Sequence, residues 1–187
     1  VASTDGAPPV RIAEQDLPTT DQTPIRVILG PQDDYFHPDM IAQFLSNTFR
    51  VSTRVDRMAT ILDGAPLIAT RGHDIISDGT IPGVIQVPAS GQPLVLMAEG
   101  QTTGGYPKIA TIIGADLRRV AQTSPGKNLS FTAVTPEEAE AALLSHRNRH
   151  RKILKSVCLA EFGRTCTARL YSANLISGVW GRDIGTE

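Results

Sequence analysis

Residues 84–113 read VIQVPASGQPLVLMAEGQTTGGYPKIATII. Val84-Ile85-Gln86-Val87 and Pro93 to Met97 are short apolar runs separated by Pro88 and Ser90-Gly91, the pattern of a strand hairpin. Ile109 to Ile113 is a further β-branched run, set apart by a segment rich in glycine and threonine. Each run has strand length and is bounded by turn residues, so the segment reads as strands rather than helix. The same pattern extends outward on both sides. Ile25 to Leu29 (IRVIL) is a buried-strand candidate ending at Gly30-Pro31. Phe49 to Val55 and Met58 to Leu62 form one interrupted strand or two, with a turn at Asp63-Gly64. The strand, turn, strand pattern is expected to begin at Ile75. Leu129 to Val134 alternates as a strand after a turn at Pro125-Gly126.

Helices are few. Pro38 to Thr48 is expected to be helical, with Pro38 at the first position, Asp39 near the positive end and Ile41, Phe44, Leu45 and Thr48 on one face. Ala115 to Gln122 is a shorter candidate. Thr135-Pro136-Glu137-Glu138 is a capping-box sequence, and the helix it opens is expected to run to about Val157. Its acidic residues come first and its basic residues (Arg147, Arg149, Arg151, Lys152, Lys155) come last, which suits the macrodipole. The chain therefore reads as mainly β, a closed or sandwiched architecture with a few helices including a long one near the C-terminus. Residues 1–24 read as a linker or arm, 25–135 as the barrel domain, and 136–187 as a helix with a C-terminal extension. In that extension Asn174 to Trp180 is a strand candidate.

The 187 residues include 18 Lys and Arg against 19 Asp and Glu, a net charge of -1. Global attraction to nucleic acid or to an anionic membrane is disfavoured by that balance. Hydrophobic residues make up 41% of the chain, enough for a core, while aromatics are only 5%, so that core should be aliphatic. No apolar run approaches the roughly 18 to 20 residues of a membrane span. Cys158 and Cys166 lack CxxC spacing and read as reduced thiols, consistent with a cytoplasmic protein. The chain begins at Val1 rather than Met, which reads as the start of a fragment of a longer chain.

The densest polar cluster is Gly100-Gln101-Thr102-Thr103-Gly104-Gly105-Tyr106-Pro107-Lys108. A Gly-Gly pair either lets backbone approach a ligand or permits positive φ. Gln101 and the two threonines add neutral hydrogen-bonding groups, and Lys108 adds a cation, so the segment suits a carbonyl, carboxylate or phosphate. The competing reading is a tight turn with a solvated lysine. It is not a phosphate-binding P-loop, because no GxxxxGK[ST] string is present. Arg57, in Val55-Asp56-Arg57-Met58, reads either as a carboxylate binder or as an exposed arginine paired with Asp56. Ser77, His73 and Asp74 lack the nucleophile-elbow context of a hydrolase triad. His146 and His150 have i, i+4 metal-ligand spacing, but they fall on the apolar stripe of Ala139, Ala142, Leu143, Ile153, Leu154 and Val157, so packed or boundary histidines are favoured and no metal site is assigned. The basic run from Arg147 to Lys155 lacks interleaved aromatics and reads as a solvated face or as a contact with an anionic partner.

The string GQTTGGYPKIATIIGADLRRVAQ from Gly100, with VILGPQDDYF from Val27, VSTRVDRM from Val51 and GVIQVPASGQPLVLMAEG from Gly83, resembles a bacterial family. That family is known as the 5-oxoprolinase C subunits, allophanate hydrolase subunit 2 or biotin-dependent carboxyltransferases, and the resemblance covers about Ile25 to Val134. Ala59 stands where members usually have glycine after Asp-Arg-Met. Glu99-Gly100 stands where members often have Asp-Arg. Members also have an N-terminal half that is missing here. The resemblance implies a cyclophilin-like β-barrel in a hetero-oligomer with a smaller homologous subunit and a third subunit, opening 5-oxoproline to glutamate with ATP. ATP is then used by the complex and not bound by a recognisable loop in this chain. Two alternatives come with it: a carboxyltransferase component served by a biotin carrier, acting on a small amide or urea-like substrate, or a non-enzymatic regulatory partner of a kinase-inhibitor homologue. The implied catalytic residues are Lys108, Gln101 and Arg57. The implied substrate-binding residues are Gln86, Thr102, Thr103, Gly104, Gly105 and Tyr106.

Overall fold

The computed structural model describes residues 23–157 together with the strand pair Val10–Arg11 (β1) and Cys158–Leu159 (β11). The chain divides into two compact units. Thr19–His150 holds the barrel. The other unit combines Val1–Pro18 with Arg151–Glu187, and in it β1 pairs antiparallel with β11, Val10 opposite Leu159. Asn174 to Trp180 and Cys166 lie outside the described residues.

In the barrel unit the strands are β2 (Ile25–Leu29), β3 (Thr48–Val55), β4 (Ala59–Asp63), β6 (Val84–Gln86), β7 (Leu94–Leu96), β9 (Lys108–Ile112) and β10 (Asn128–Ala133). They close in the order β10-β2-β9-β6-β7-β4-β3. All neighbours are antiparallel except β2 and β10, which run parallel. Closure removes the unpaired edges that an open sheet would expose. Burial alternates along β4, as expected for a strand with one face inward. The mainly β barrel with few helices and one long C-terminal helix is the fold expected from the sequence.

The interior is mostly aliphatic, with one aromatic cluster. Phe44, Phe49 and Phe131 are fully buried, and the rings of Phe44 and Phe131 stack with centroids 4.8 Å apart. Phe44 comes from α1 (Pro38–Ser46), which thereby joins the barrel core. The His37 ring nitrogen accepts the Asp39 amide at the start of this helix. The helix ends two residues before the expected Thr48, because Thr48 pairs with Ser130 across β3 and β10.

Two other expectations are corrected. The strand expected from Ile75 does not form. Only Asp78–Gly79 (β5) pairs there, with Thr103–Gly104 (β8), and Ile76 is 94% exposed. The apolar residues of this segment therefore do not enter the core. The short helix α2 is Leu117–Ala121, narrower than expected because Asp116 stands at its cap.

α3 (Pro136–Ser156) opens with the expected capping box: Thr135 N–H donates to Glu138 Oε2 at 2.9 Å, and Glu138 N–H donates to Thr135 Oγ1 at 3.2 Å. Its expected apolar stripe is buried at Ala139 and half-buried at Ala142, Leu143 and Ile153. Ala139 and Ala142 meet a patch formed by Ile28, Ile113, Ala115 and Val134, beyond which Leu144 and Leu154 are exposed. Accordingly His146 is half-buried and His150 is exposed, with ring centroids 4.5 Å apart. No described helix is long and apolar enough to cross a membrane.

Candidate functional site

The end of β6 and the start of β9 meet in register, Gln86 opposite Lys108. A register shift falls between the pairs Ile85–Ala110 and Gln86–Lys108, so one extra residue, Ile109, is accommodated on β9. Such a bulge re-aims the side chain beside it. Both side chains end up in the interior: Gln86 is 0% exposed and Lys108 is 1% exposed.

Lys108 Nζ lies 2.6 Å from Asp78 Oδ2. Asp78 comes from the β5–β8 ribbon, which sits outside the closed barrel and pairs Asp78 with Gly104. Its carboxyl is held below the usual aspartate range, first by the Lys108 hydrogen bond, then by the Gly79 amide and the Lys108 charge, with a smaller contribution from Gln32. Gln32 also accepts the Lys108 backbone N–H at 3.3 Å. A buried ammonium is stable only with such partners.

Gln86 is the opposite case. Neither its Nε2 nor its Oε1 has a hydrogen-bond partner among the described residues. Leaving a buried amide donor and acceptor unmet costs about 1–3 kcal/mol for each group. Unmet buried polar groups are rare in native folds, and a ligand that meets them is one physical reason for keeping them. Gly104 packs directly against this amide: a Cβ there would stand 2.2 Å from Gln86 Nε2 and 3.0 Å from Gln101 Nε2. Glycine is thus favoured by close approach and not by positive φ, which Gly104 and Gly105 do not adopt. Thr80 closes the cluster, its hydroxyl donating to the Gln101 carbonyl and its N–H to the Thr102 carbonyl.

Of the residues singled out from sequence, Gln86, Gln101, Gly104 and Lys108 converge. Gly105 follows, bonded through its carbonyl to Ile75 N–H at 2.8 Å. Thr102, Thr103 and Tyr106 face solvent on the same segment. Arg57 shares no hydrogen bond with that cluster among the described residues. Its expected local pairing with Asp56 is replaced by an ion pair to Glu99 at 2.5 Å, while Asp56 Oδ1 accepts the Met58 and Ala59 amides. Position 100 has little room for a side chain: a Cβ would lie 3.1 Å from the carbonyls of Met58 and Met97. His73 Nδ1 has no partner among the described residues, so no serine–histidine–aspartate relay forms with Ser77 and Asp74. Sequence reasoning missed Asp78 and Gln32 as members of the cluster.

A closed barrel thus holds a buried ammonium beside a buried amide with no hydrogen-bond partner among the described residues. The family model for the carboxyltransferase domain, subdomain A and B, matches residues 2–133, and the chain belongs to that family. It is 41% identical over 115 residues to the C subunit of 5-oxoprolinase from Escherichia coli, covering 62% of this chain and 37% of that protein. It is 43% identical over 93 residues to the C subunit of 5-oxoprolinase from Haemophilus influenzae, covering 50% and 30%. The chain thus spans about a third of the length of these relatives. The crystal structure of the K. lactis urea amidolyase has the same fold over 74% of this chain and 9% of that one, with a TM-score of 0.64 at 23% identity.

Proposed function

We propose that this chain supplies the lactam-recognising part of a 5-oxoprolinase-type enzyme, in which a multi-subunit complex opens 5-oxoproline to glutamate using ATP. The observation that carries this reading is the buried Gln86 amide with donor and acceptor both unmet. A lactam presents its C=O and N–H side by side on one edge. That edge is complementary to a primary amide, which offers N–H and C=O in the same arrangement. The Gly104 segment covers Gln86, so the ligand reaches it by displacing that segment.

Lys108 then stabilises negative charge. As the lactam carbonyl is attacked, charge builds on its oxygen, and a fixed, desolvated ammonium favours that charge more than it favours the neutral ground state. Asp78 holds the lysine in place through their ion pair. Gln101, Thr102, Thr103 and Tyr106 are placed to hold the substrate carboxylate or the covering segment. Arg57 acts at a distance, by tying Glu99 and so the start of the segment. ATP is used by the complex, which includes a smaller homologous subunit and a third subunit, and the cytoplasm is the expected location.

A second reading is carboxyl transfer from a biotin carrier to an amide or urea-like acceptor. The carboxyltransferase description of the family favours it, and biotin's ureido ring carries the same N–H and C=O edge. The test is turnover by the full-length subunit with its partner subunits, ATP and 5-oxoproline, omitting each in turn. Glutamate that depends on this subunit and on ATP supports the first reading. Absence of glutamate with all subunits folded, together with carboxylation dependent on a biotinylated carrier, supports the second.

A further inference from the structure

A second polar site lies away from Gln86 and Lys108. Within the barrel unit, a cleft of about 390 Å³ is lined by residues of α2, of α3 and of the segment entering β2. Four guanidinium groups line it, from Arg26, Arg118, Arg119 and Arg149, against the single carboxylate of Asp116. That carboxylate is committed. Arg26 donates to it through Nε at 2.9 Å and Nη2 at 2.8 Å, and Arg119 Nη1 lies 3.4 Å away. Arg118 and Arg149 make no ion pair among the described residues. Arg118 and Arg149 therefore bring to the lining two positive charges that no ion pair among the described residues balances.

Two buried nitrogens in this wall have no hydrogen-bond partner among the described residues, Nε of Arg118 and Nε2 of His146. A guanidinium N–H shielded from water and left unmet is costly, and an anion in the cleft would satisfy it. His146 also senses the excess charge. Its pKa is lowered, first by burial and then by His150, Arg118 and Arg149, with Asp116 acting in opposition.

We propose that this cleft binds a small polyanion of the phosphate class, a diphosphate or triphosphate group. Guanidinium forks match phosphate oxygens in geometry as well as charge. A monatomic ion would leave most of the volume empty, whereas clefts of roughly 300–1,000 Å³ are typical of small-molecule sites. A polyphosphate brings several acceptor oxygens and multiple charges, and both are what this wall lacks.

The experiment is calorimetric titration of the 187-residue chain with sodium pyrophosphate and with citrate, in buffer of matched ionic strength, about 0.15 M. Saturable one-to-one pyrophosphate binding is expected, tighter than citrate. Arg118→Gln and Arg149→Gln should each weaken it by about tenfold. Lys127→Gln, which removes an exposed charge on the turn before β10, should leave it unchanged. Either variant alone suffices if the other fails to fold, and circular dichroism shows which is folded. Absence of saturable binding overturns the proposal. So does equal loss in all three variants, which indicates diffuse attraction, or citrate binding as tightly as pyrophosphate, which indicates a carboxylate site.

Discussion

Lys108 Nζ and Asp78 Oδ2 are 2.6 Å apart, but the lysine side chain is 1% exposed and the aspartate 53% exposed. The two ends of this ion pair are therefore not equivalent. Removing the lysine leaves a carboxylate that water can solvate. Removing the aspartate charge leaves an ammonium that water cannot reach. Lys108→Met should accordingly cost less stability than Asp78→Asn, as read from urea midpoints at neutral pH. The reverse order would show that Asp78 is not what stabilises the lysine.

The same pair sets a pH dependence. Asp78 titrates below the ordinary aspartate value of 3.8, so its contribution to stability is complete above that value and is lost as pH falls through the lower folded-state value. The stability gap between the wild type and Asp78→Asn should therefore be constant near neutrality and close in the acid range. A gap that stays the same size from neutrality through the whole acid range would contradict the assignment.

Gly104 and Gln86 are coupled by contact. Gly104→Ala places a methyl 2.2 Å from Gln86 Nε2, which forces the amide or the segment to move. Overpacking of this kind costs about 1–3 kcal/mol. Gln86→Ala should relieve most of it, so a double-mutant cycle should give a coupling of about 1 kcal/mol or more. Additive losses would mean that the segment yields freely.

Asp116 anchors Arg26 through its side chain and also accepts the Arg26 backbone N–H at 3.0 Å. Burial raises the Asp116 pKa, and the Arg26 hydrogen bonds outweigh it, leaving a net lowering. Asp116→Asn should destabilise the barrel unit by about 2 kcal/mol, measured by chemical denaturation, since a charged acceptor with several donors is replaced by a neutral one.

Thr135→Ala removes one half of the reciprocal bonds at the start of α3. A loss of about 1 kcal/mol is expected, with faster amide exchange in the first turn of the helix. Unchanged exchange there would mean that packing of Ala139 alone fixes the helix start.

The barrel strands were readable because β-branched runs of strand length, bounded by Gly and Pro, have few other uses. Thr135 and Glu138 announced the long helix for an equally local reason. Residues 75–81 misled because Ile75, Ile76 and Ile81 look like strand residues, although Ile76 and Ile81 end up exposed; what holds this segment is the pairing of Asp78 with Gly104, a contact 26 positions apart that no local pattern encodes. Asp78 was invisible as a partner of Lys108 for the same reason. The need for glycine at position 104 was legible, but its cause, the Gln86 amide, lies on another strand. His146 and His150 share a helix face with the apolar stripe of α3, yet the first is half-buried and the second exposed.

The role given to Gln86 is open to a decisive experiment: Gln86→Leu in the full-length subunit, measured for stability and for glutamate formation in the reconstituted complex. Equal or greater stability is expected, because an unmet amide is replaced by an apolar group of similar size, together with loss of turnover by at least about a hundredfold. Turnover near the wild-type rate in a folded Gln86→Leu complex would contradict that role.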